Sequence, residues 1–517
     1  MLARAHAFTI DGFQTNHVTV EVDIRPGLPA FVIVGLADTA VREARERIAS
    51  AIRNSGYEFP ARRITANLAP ADVPKAGPGL DLPLACAVLA ASGQLPGDRL
   101  AKVALAGELG LDGSLRPTRG TLAIAEAARA AGLGTLALAA ERSREAQLVG
   151  GLEVAAVRSL RSAVRVLRGG HADALPAADR HLDRGPQPVA ATAPDLSDVR
   201  GQRLAVRALV IAAAGAHNLL LSGAPGTGKT MLAQRLPSVL PPLDHAEAVE
   251  VTRIRSLLGG EVRGLVRARP FRAPHHTITA AGLIGGARQG APGEVVLAHN
   301  GVLFLDELSE FSRPVLESLR QPLEDGRVAI ARANHSAMYP ARFMLVAATN
   351  PCPCGFSGEV ERCRCSEADL ARHRRRLSGP LLDRLDLLVN LRRHGDEGEP
   401  RGRVISSEQA RELVACARER QARNLHEHGV SQNGHMDART LRACARLDTR
   451  AAGMLHRARE VGLLSARGEH RSVRVARTIA DLDGSTRIGT AHMAEALAFR
   501  PDLAYEPAVP PHAGVPA

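Results

Sequence analysis

The chain has 517 residues, of which 45% are hydrophobic and 23% charged, so it is long enough for about two to four domains and is not wholly disordered. Its 66 Lys and Arg exceed its 54 Asp and Glu, which gives a formal net charge of +12, yet only Lys75, Lys102 and Lys229 are lysines. The arginine excess is typical of a GC-rich genome and is also compatible with a polyanionic partner. The sequence has neither an apolar stretch of about 18 residues nor a signal-peptide pattern, so we expect a cytoplasmic protein without a membrane span.

Residues 1–168 have the patterns of a mixed α/β domain. Residues 18–24 alternate polar and apolar side chains and residues 31–34 are a short apolar run, so both segments predict strands. Helical patterns follow at 38–54 and 82–91. The stretch that follows, 169–194, contains four prolines without periodicity and predicts a linker.

The pattern changes at residue 195 to short apolar runs that each lead into a polar loop. Continuous runs of this kind are typical of buried parallel strands, and helical segments alternate with them, which predicts a doubly wound α/β core over 195–395. The runs lie at 219–222, 302–305 and 344–348.

Residues 404–500 predict a helical lid domain, in which Ser407 is the expected N-cap of the first helix. The predicted helices cover 407–423, 437–461 and 469–483. The last segment, 501–517, is rich in Pro and Ala, so we expect it to be disordered.

The apolar run at 219–222 leads into a glycine-rich loop that matches the phosphate-binding pattern G-x-x-x-x-G-K-[ST] and opens a helical segment. Glycines let backbone N–H groups converge on phosphate oxygens, to which the helix N-terminus adds partial positive charge. We expect Lys229 to reach the β- and γ-phosphates of ATP and the Thr230 hydroxyl to ligate Mg²⁺. The residues predicted to bind the nucleotide are Gly223, Ala224, Pro225, Gly226, Thr227, Gly228, Lys229 and Thr230.

Polar residues also follow the other two apolar runs. Asp306 and Glu307 come after the run at 302–305, and we expect Asp306 to hold Mg²⁺ and Glu307 to polarise the attacking water. Asn350 comes after the third run, where it would orient that water or contact the γ-phosphate. Such residues are common at strand ends, so their predicted roles depend on the phosphate loop upstream.

Several longer strings, together with these motifs, resemble AAA+ ATPases, specifically the magnesium-chelatase-like ComM/YifB family. They are RPFRAPHHT at 269–277, PGEVVLAHNGVLFLDEL at 292–308, ATNPCPCG at 348–355, SGPLLDRLD at 378–386 and VARTIADL at 475–482. The resemblance implies a homohexameric ring with ATP at subunit interfaces. It also implies that Asn350 is sensor 1 and that Arg384 is the arginine finger for the neighbouring subunit. Arg467 is similar to the sensor-2 arginine, with Arg471 and Arg474 as nearby alternatives.

The same resemblance implies an ATP-driven DNA motor that acts in branch migration during homologous recombination and the integration of transforming DNA. The candidate phosphate contacts lie in a predicted hairpin and are Arg327, Arg332 and Arg342. The alternative is a chelatase-type motor that remodels a protein partner without nucleic acid. We expect His275 and His276, in a glycine-rich insert, to be exposed or structural rather than metal ligands.

The N-terminal domain resembles the Lon-protease-like domain, which has the α+β fold related to ribosomal protein S5. This resemblance rests on residues 74–81 and 107–117. Gly79 stands where active Lon-type proteases carry the nucleophilic serine, and no lysine occurs between residues 103 and 228, so the serine–lysine dyad is absent. We therefore interpret the domain as non-proteolytic. Lys75 is expected to be a solvated loop residue, with a nucleic-acid contact as the alternative.

Four of the seven cysteines lie within 14 residues and form a predicted insert at 352–365 beside the nucleotide site. They are Cys352, Cys354, Cys363 and Cys365. Four thiolates suit a tetrahedral Zn²⁺ site. Free or redox-active thiols are the alternative.

Overall fold

The computed structural model describes residues 2–75, 77–174, 194–286, 291–332, 335–357, 362–376, 379–391 and 405–500. Most of the predicted linker at 169–194 and all of the predicted disordered tail at 501–517 lie outside these residues. The chain divides into two compact units. Unit 1 comprises Met1–Pro186, Asp244–Arg267 and Ala329–Tyr339, and unit 2 comprises Gln187–Leu243, Ala268–Val328 and Pro340–Ala517. No helix among the described residues has the length and apolar character needed to cross a membrane.

The first part of unit 1 contains both strands and helices. Its strands are β1 (Leu2–Asp11), β2 (Gln14–Arg25), β3 (Ala30–Val34), β4 (Arg63–Ala69), β5 (Val103–Ala106), β6 (Glu108–Leu109), β7 (Leu115–Arg116), β8 (Thr135–Ala139) and β9 (Glu153–Val157). Its helices are α1 (Thr39–Asn54), α2 (Asp81–Ala91), α3 (Gly97–Leu100), α4 (Thr121–Ala130), α5 (Ser143–Gln147) and α6 (Leu160–Leu167).

A mixed sheet with helices on both faces forms the centre of unit 1. The order of its described strands is β3-β4-β2-β1-β5-β8-β9, with β2 antiparallel to both β1 and β4 and the other pairs parallel. Successive side chains of a strand point to opposite faces. Accordingly, Leu105 belongs to the apolar cluster of α1, α2 and α6, whereas Ala104 and Ala106 belong to that of α4.

Lys75 departs from the sequence-based expectation, because its side chain is fully buried rather than solvated. The loop that carries it lies against residues 36–38: the Lys75 N–H donates to the Leu36 carbonyl, and the Lys75 carbonyl accepts from the Asp38 N–H. Its ammonium donates to the Pro70 carbonyl. Burial lowers the pKa of Lys75, while the charge of Asp72 acts in the opposite direction. The expectation was wrong because a loop position in sequence says little about where the loop folds back.

The rest of the chain contains the remaining elements. The strands are β10 (Leu219–Gly223), β11 (Phe271–Arg272), β12 (Gly301–Leu305), β13 (Arg327–Arg332), β14 (His335–Pro340), β15 (Phe343–Thr349) and β16 (Leu387–Leu391). The helices are α7 (Arg203–Gly215), α8 (Lys229–Val239), α9 (His245–Leu257), α10 (Ala280–Ile284), α11 (Glu294–Leu297), α12 (Arg313–Ser318), α13 (Arg320–Asp325), α14 (Glu367–Arg376), α15 (Gly379–Leu382), α16 (Ser407–Leu425), α17 (Ala438–Cys444), α18 (Thr449–Glu460), α19 (Ala466–Leu482) and α20 (Thr490–Ala498). Of these, α9 and most of the β13–β14 hairpin belong to unit 1.

An entirely parallel sheet positions the site in unit 2. Its described strands have the order β11-β12-β15-β10-β16, so the carboxyl ends of β10, β12 and β15 meet at one edge. Because β10, β12 and β15 are buried at every position or nearly so, they appear in the sequence as continuous apolar runs. One apolar cluster joins them to α7, α8, α16 and α19. The predicted α/β class with a parallel-sheet core is confirmed, while the Lon-like resemblance and the domain boundaries stay predictions.

Two predictions for the C-terminal helices are corrected. The first helix is capped by Ser406 rather than Ser407, because the Ser406 side chain accepts from the Gln409 N–H and the Gln409 side chain pairs with the Ser406 N–H. The helix predicted over 437–461 is two helices, α17 and α18. Asp448 begins α18 by accepting from the Ala451 N–H, and its own N–H donates to the Ile488 carbonyl, which holds the chain out of the helix there.

Candidate nucleotide site

The phosphate loop, residues 223–230, connects the end of β10 to the start of α8. Gly226 and Gly228 have φ angles of +79° and +92°, in the left-handed region where a side chain would be strained. The loop is closed by Thr227, whose hydroxyl donates to the Ala224 carbonyl at 2.9 Å. Because α8 begins at Lys229, its first backbone N–H groups face the loop, an arrangement suited to an anion.

The Lys229 ammonium lies inside this loop and donates to three oxygen atoms. They are the carbonyl oxygens of Gly223 and Ala224, at 2.7 and 3.0 Å, and Oδ1 of Asn350, at 3.1 Å. Burial lowers the pKa of Lys229, and the carboxylates of Asp306 and Glu307 act against this shift. The structure therefore brings together the predicted phosphate-binding lysine and the predicted sensor asparagine.

Thr230 and Asp306 meet at the edge of the sheet, where the Thr230 hydroxyl donates to Asp306 Oδ2 at 2.7 Å. A hydroxyl and a carboxylate are oxygen ligands of the kind that Mg²⁺ prefers, so this pair fits the predicted metal role. Glu307 is next in the chain and adopts a left-handed conformation, with φ +52°, that is uncommon outside glycine. Its backbone N–H donates to Asp306 Oδ1 at 3.0 Å, and its own side chain is 59% exposed.

His276 is a candidate site residue that the sequence reasoning did not place here. It follows β11, the neighbour of β12 in the sheet, and its Nδ1 lies 3.7 Å from Oε2 of Glu307. The ring also packs against His275, with centroids 4.1 Å apart, and against the edge of Phe311. His276 and Glu307 are 31 residues apart in the sequence, so this contact could be predicted only by knowing that β11 pairs with β12.

A second histidine that was not predicted contacts the backbone of Asn350. His373, a buried residue of α14, donates from Nε2 to the Asn350 carbonyl at 2.9 Å. The carbonyl can only accept, so Nε2 carries the proton. The backbone of Asn350 and its amide side chain are thus fixed from two directions, by His373 and by Lys229.

The two predicted arginines lie in a different pocket of unit 2, of about 550 Å³. Arg384 is 11% exposed and pairs with Glu324. Arg467 is 73% exposed, and its guanidinium is 3.8 Å from the Asp383 carboxylate; Arg471, 11% exposed, lies equally close to Asp383. We call this the arginine pocket, after its lining residues Arg342, Arg384, Arg467, Arg471 and Arg474. The described residues that line it include none from the phosphate loop.

The four predicted metal ligands do come together, and we call them the cysteine cluster: Cys352, Cys354, Cys363 and Cys365. All four sulfur atoms lie within 4.8 Å of one another. The distance from Cys352 Sγ is 3.3 Å to Cys354 Sγ and 3.9 Å to Cys363 Sγ, and that from Cys354 Sγ to Cys363 Sγ is 3.7 Å. All four are free thiols.

Backbone N–H groups give the sulfur atoms different environments. Hydrogen bonds from the N–H groups of Phe356 and Arg364 lower the pKa of Cys354 to about 6. Burial raises the pKa of the Cys352 thiol to about 12. A negative charge on sulfur is therefore already stabilised at one corner of the cluster by main-chain dipoles.

The parallel sheet, the phosphate loop and the acidic pair at the end of β12 define an AAA+-type, ATP-binding protein. Three family models match the chain, over residues 20–142 (subunit ChlI of Mg-chelatase), 195–398 (magnesium chelatase, subunit ChlI) and 405–500 (magnesium chelatase, subunit ChlI C-terminal). Close relatives extend this likeness to nearly the full length of the chain. The chain belongs to the ComM/YifB family of magnesium-chelatase-like proteins.

Two of these relatives are similar over almost all of their length. The competence protein ComM of Haemophilus influenzae is 42% identical over 500 residues, covering 95% of each chain. The protein YifB of Escherichia coli is 42% identical over 509 residues, covering 96% of this chain and 97% of its own. A more distant relative is the Holliday junction branch migration complex subunit RuvB of Streptomyces griseus, 28% identical over 210 residues, which cover 37% of this chain and 48% of RuvB.

Proposed function

We propose that the chain binds ATP with Mg²⁺ and hydrolyses it at the phosphate loop. The observation that carries this proposal is the convergence of Lys229, Asn350 and the Thr230–Asp306 pair at the carboxyl edge of one parallel sheet. Lys229 would exchange its carbonyl partners for phosphate oxygens, and its compact ammonium fits where a planar guanidinium would not. Glu307 is the proposed base for the attacking water, since it is the exposed carboxylate of the site.

The proposed binding residues have matched roles in this scheme. The backbone N–H groups of the loop hold the phosphates, Thr230 and Asp306 hold Mg²⁺, and Asn350 orients the water or contacts the γ-phosphate. The loop residues concerned are Gly223, Ala224, Pro225, Gly226, Thr227, Gly228 and Lys229.

We also propose that the active form is a homohexamer in which Arg384 is the arginine finger for the ATP of a neighbouring subunit and Arg467 is the sensor-2 arginine. The support is their position in the arginine pocket, whose described lining contains no phosphate-loop residue. A guanidinium supplied in trans stabilises the transition-state charge on the γ-phosphate and can raise the rate by about 10³–10⁵. In this scheme Arg384 must leave Glu324 when the neighbour's nucleotide is present.

The work performed with ATP is proposed to be the movement of branched DNA during homologous recombination, including the integration of transforming DNA. Similarity to ComM over almost the full chain carries this step, and the similarity to RuvB and the net charge of +12 support it. Arg327, the first residue of β13, and Arg342, two residues after β14, are exposed and available to phosphates. The Arg332 side chain lies outside the described residues.

The second candidate is a chelatase-type motor that remodels a protein partner and does not touch nucleic acid. The observation that favours it is the match of three family models, all described as parts of the magnesium chelatase subunit ChlI. The two candidates share the ATPase site and differ in what hydrolysis moves. DNA dependence therefore separates them.

The deciding experiment measures ATP hydrolysis and strand displacement on branched DNA at low salt. Lys229→Ala is the inactive variant, and Lys102→Ala, which removes an exposed lysine, is its matched control. We expect DNA to stimulate hydrolysis and junctions to move with wild type and Lys102→Ala only. If DNA does not change the rate of ATP hydrolysis and no junction is moved, the DNA motor is refuted and the chelatase-type alternative is favoured.

The remaining parts of the proposal concern location and a further ion. The cysteine cluster is proposed to bind a structural Zn²⁺, which its free thiols can do only when deprotonated. The cytoplasm is the proposed location, since it supplies ATP and keeps thiols reduced.

A further inference from the structure

The sulfur atoms of the cysteine cluster are spaced like the ligands of a tetrahedral metal ion. A tetrahedral Zn²⁺ with Zn–S bonds of about 2.3 Å holds its sulfur atoms about 3.8 Å apart. The observed separations of 3.3, 3.7 and 3.9 Å lie close to this value, and no pair exceeds 4.8 Å. A disulfide would need about 2.05 Å between its two sulfur atoms, and each of these three separations is well above that value. The donor set therefore fits Zn²⁺ better than it fits a cross-link between two cysteines.

The cluster is also part of the wall of the nucleotide site. Cys352 is only two residues from Asn350, the side chain that accepts from Lys229. Between the first two cysteines and the next pair, Gly355 packs against the phosphate loop: with φ +84°, a Cβ on it would lie 2.5 Å from Cδ of Pro225. The first half of the cluster thus follows the sensor residue directly in the chain, and the glycine after it packs against the loop that would hold the phosphates.

The second half of the cluster leads back to the same place. After Cys365 the chain enters α14, whose buried His373 donates to the Asn350 carbonyl at 2.9 Å. A metal that joins Cys352 and Cys354 to Cys363 and Cys365 closes this excursion into a short ring. Closing a loop lowers the conformational entropy of its residues. The residues that this segment contacts, Asn350 and Pro225, are then restricted to fewer positions.

From this arrangement we infer that Zn²⁺ in the cysteine cluster is a clamp that positions Asn350 and Pro225 for the nucleotide, so that ATP affinity and hydrolysis depend on the metal. The cysteines act here as positioning residues, through Asn350 and the phosphate loop, and they do not touch the reacting atoms. This inference rests on the ATP site and the zinc part of the proposed function, but not on DNA.

Three full-length proteins test the clamp: wild type, Cys363→Ser, and Cys416→Ser as the matched control. Cys416 is an exposed cysteine of α16 outside the cluster. Zinc content is measured by elemental analysis, and affinity is measured with a fluorescent ATP analogue. We expect about one zinc per chain in wild type and Cys416→Ser, and loss of zinc with an affinity at least about tenfold weaker in Cys363→Ser.

A second measurement uses wild type alone, in case Cys363→Ser fails to fold. A chelator that removes zinc should weaken binding of the ATP analogue, and added Zn²⁺, but not added Mg²⁺, should restore it. Absence of zinc from purified wild type would overturn the clamp and the zinc part of the proposed function together. Zinc that can be removed without a change in ATP affinity would overturn the clamp alone, and the ATPase proposal would stand in either case if Lys229→Ala abolishes hydrolysis.

Discussion

The phosphate loop and the arginine pocket, both in unit 2, differ in how many of the contacts expected at an ATPase site a single chain supplies. At the loop, Lys229 contacts Asn350 and Thr230 contacts Asp306 within a single chain. In the arginine pocket, five arginines gather around acidic side chains with no described phosphate-loop residue among the lining. In the proposed scheme, one chain can bind a nucleotide by itself, whereas fast hydrolysis needs a second chain. Each prediction below tests one side of this contrast.

The largest effect is expected from Lys229→Arg. The charge is kept, but a planar guanidinium cannot reproduce the three contacts of the ammonium with Gly223, Ala224 and Asn350. We expect hydrolysis to fall by about 10³-fold, with loss of ATP-analogue binding. Lys102→Arg, measured beside it, should behave as wild type. If Lys229→Arg still bound ATP normally, charge alone would be enough at this position and the loop would not be as specific as its contacts indicate.

Arg384→Ala should be the next most damaging change, and it can be tested by mixing. Alone, it is expected to hydrolyse ATP about 10³-fold more slowly while its ATP affinity stays near that of wild type, because its own loop is intact. Glu307→Gln alone should bind ATP and fail to hydrolyse it. Mixed rings should recover part of the activity, since a Glu307→Gln subunit still supplies Arg384 to its neighbour. No recovery in rings shown to contain both variants would mean that Arg384 serves its own chain.

His276→Ala should reduce kcat by about tenfold or less without a change in ATP affinity. Its imidazole lies 3.7 Å from the Glu307 carboxylate, so its loss would leave that carboxylate less well oriented toward the water. His456→Ala removes an exposed histidine of α18 and serves as the control. A change in KM with an unchanged kcat would place His276 in nucleotide binding instead.

The smallest effects should decide which arginine of α19 is the sensor. Arg467 is mostly exposed, whereas Arg471 is mostly buried and donates to the Leu385 carbonyl at 3.1 Å. If Arg467 is the sensor-2 arginine and contacts the nucleotide, Arg467→Ala should slow hydrolysis a few-fold without affecting the melting temperature. Arg471→Ala should instead lower the melting temperature. The reverse pattern would transfer the sensor role to Arg471.

The sequence was most informative where candidate site residues directly follow a buried strand. Gly223 to Thr230, Asp306 and Asn350 could be found because each stands directly after an apolar run, and parallel strands bring those ends together. The cysteines could be found by spacing alone. The N-cap at Ser406 was also readable, since Ser406 and Gln409 have the spacing of a capping box, but the adjacent serine masked it.

Other features depend on contacts that no local pattern encodes. His276 meets Glu307 only because β11 and β12 are neighbours in the sheet, and His373 meets Asn350 only after α14 folds back. The break between α17 and α18 depends on the pairing of Asp448 with Ile488, forty residues away. Periodicity predicts which face of an element is buried, but not which distant element covers it.

The different environments of the three lysines have a practical consequence for reagent chemistry. Lys75 is enclosed and Lys229 is held inside the phosphate loop, which leaves Lys102 as the exposed lysine among the described residues. Among the lysine side chains, activated esters should therefore modify the ε-amine of Lys102 in preference to the other two. A dye or surface tether can be attached to that side chain without engineering a new residue.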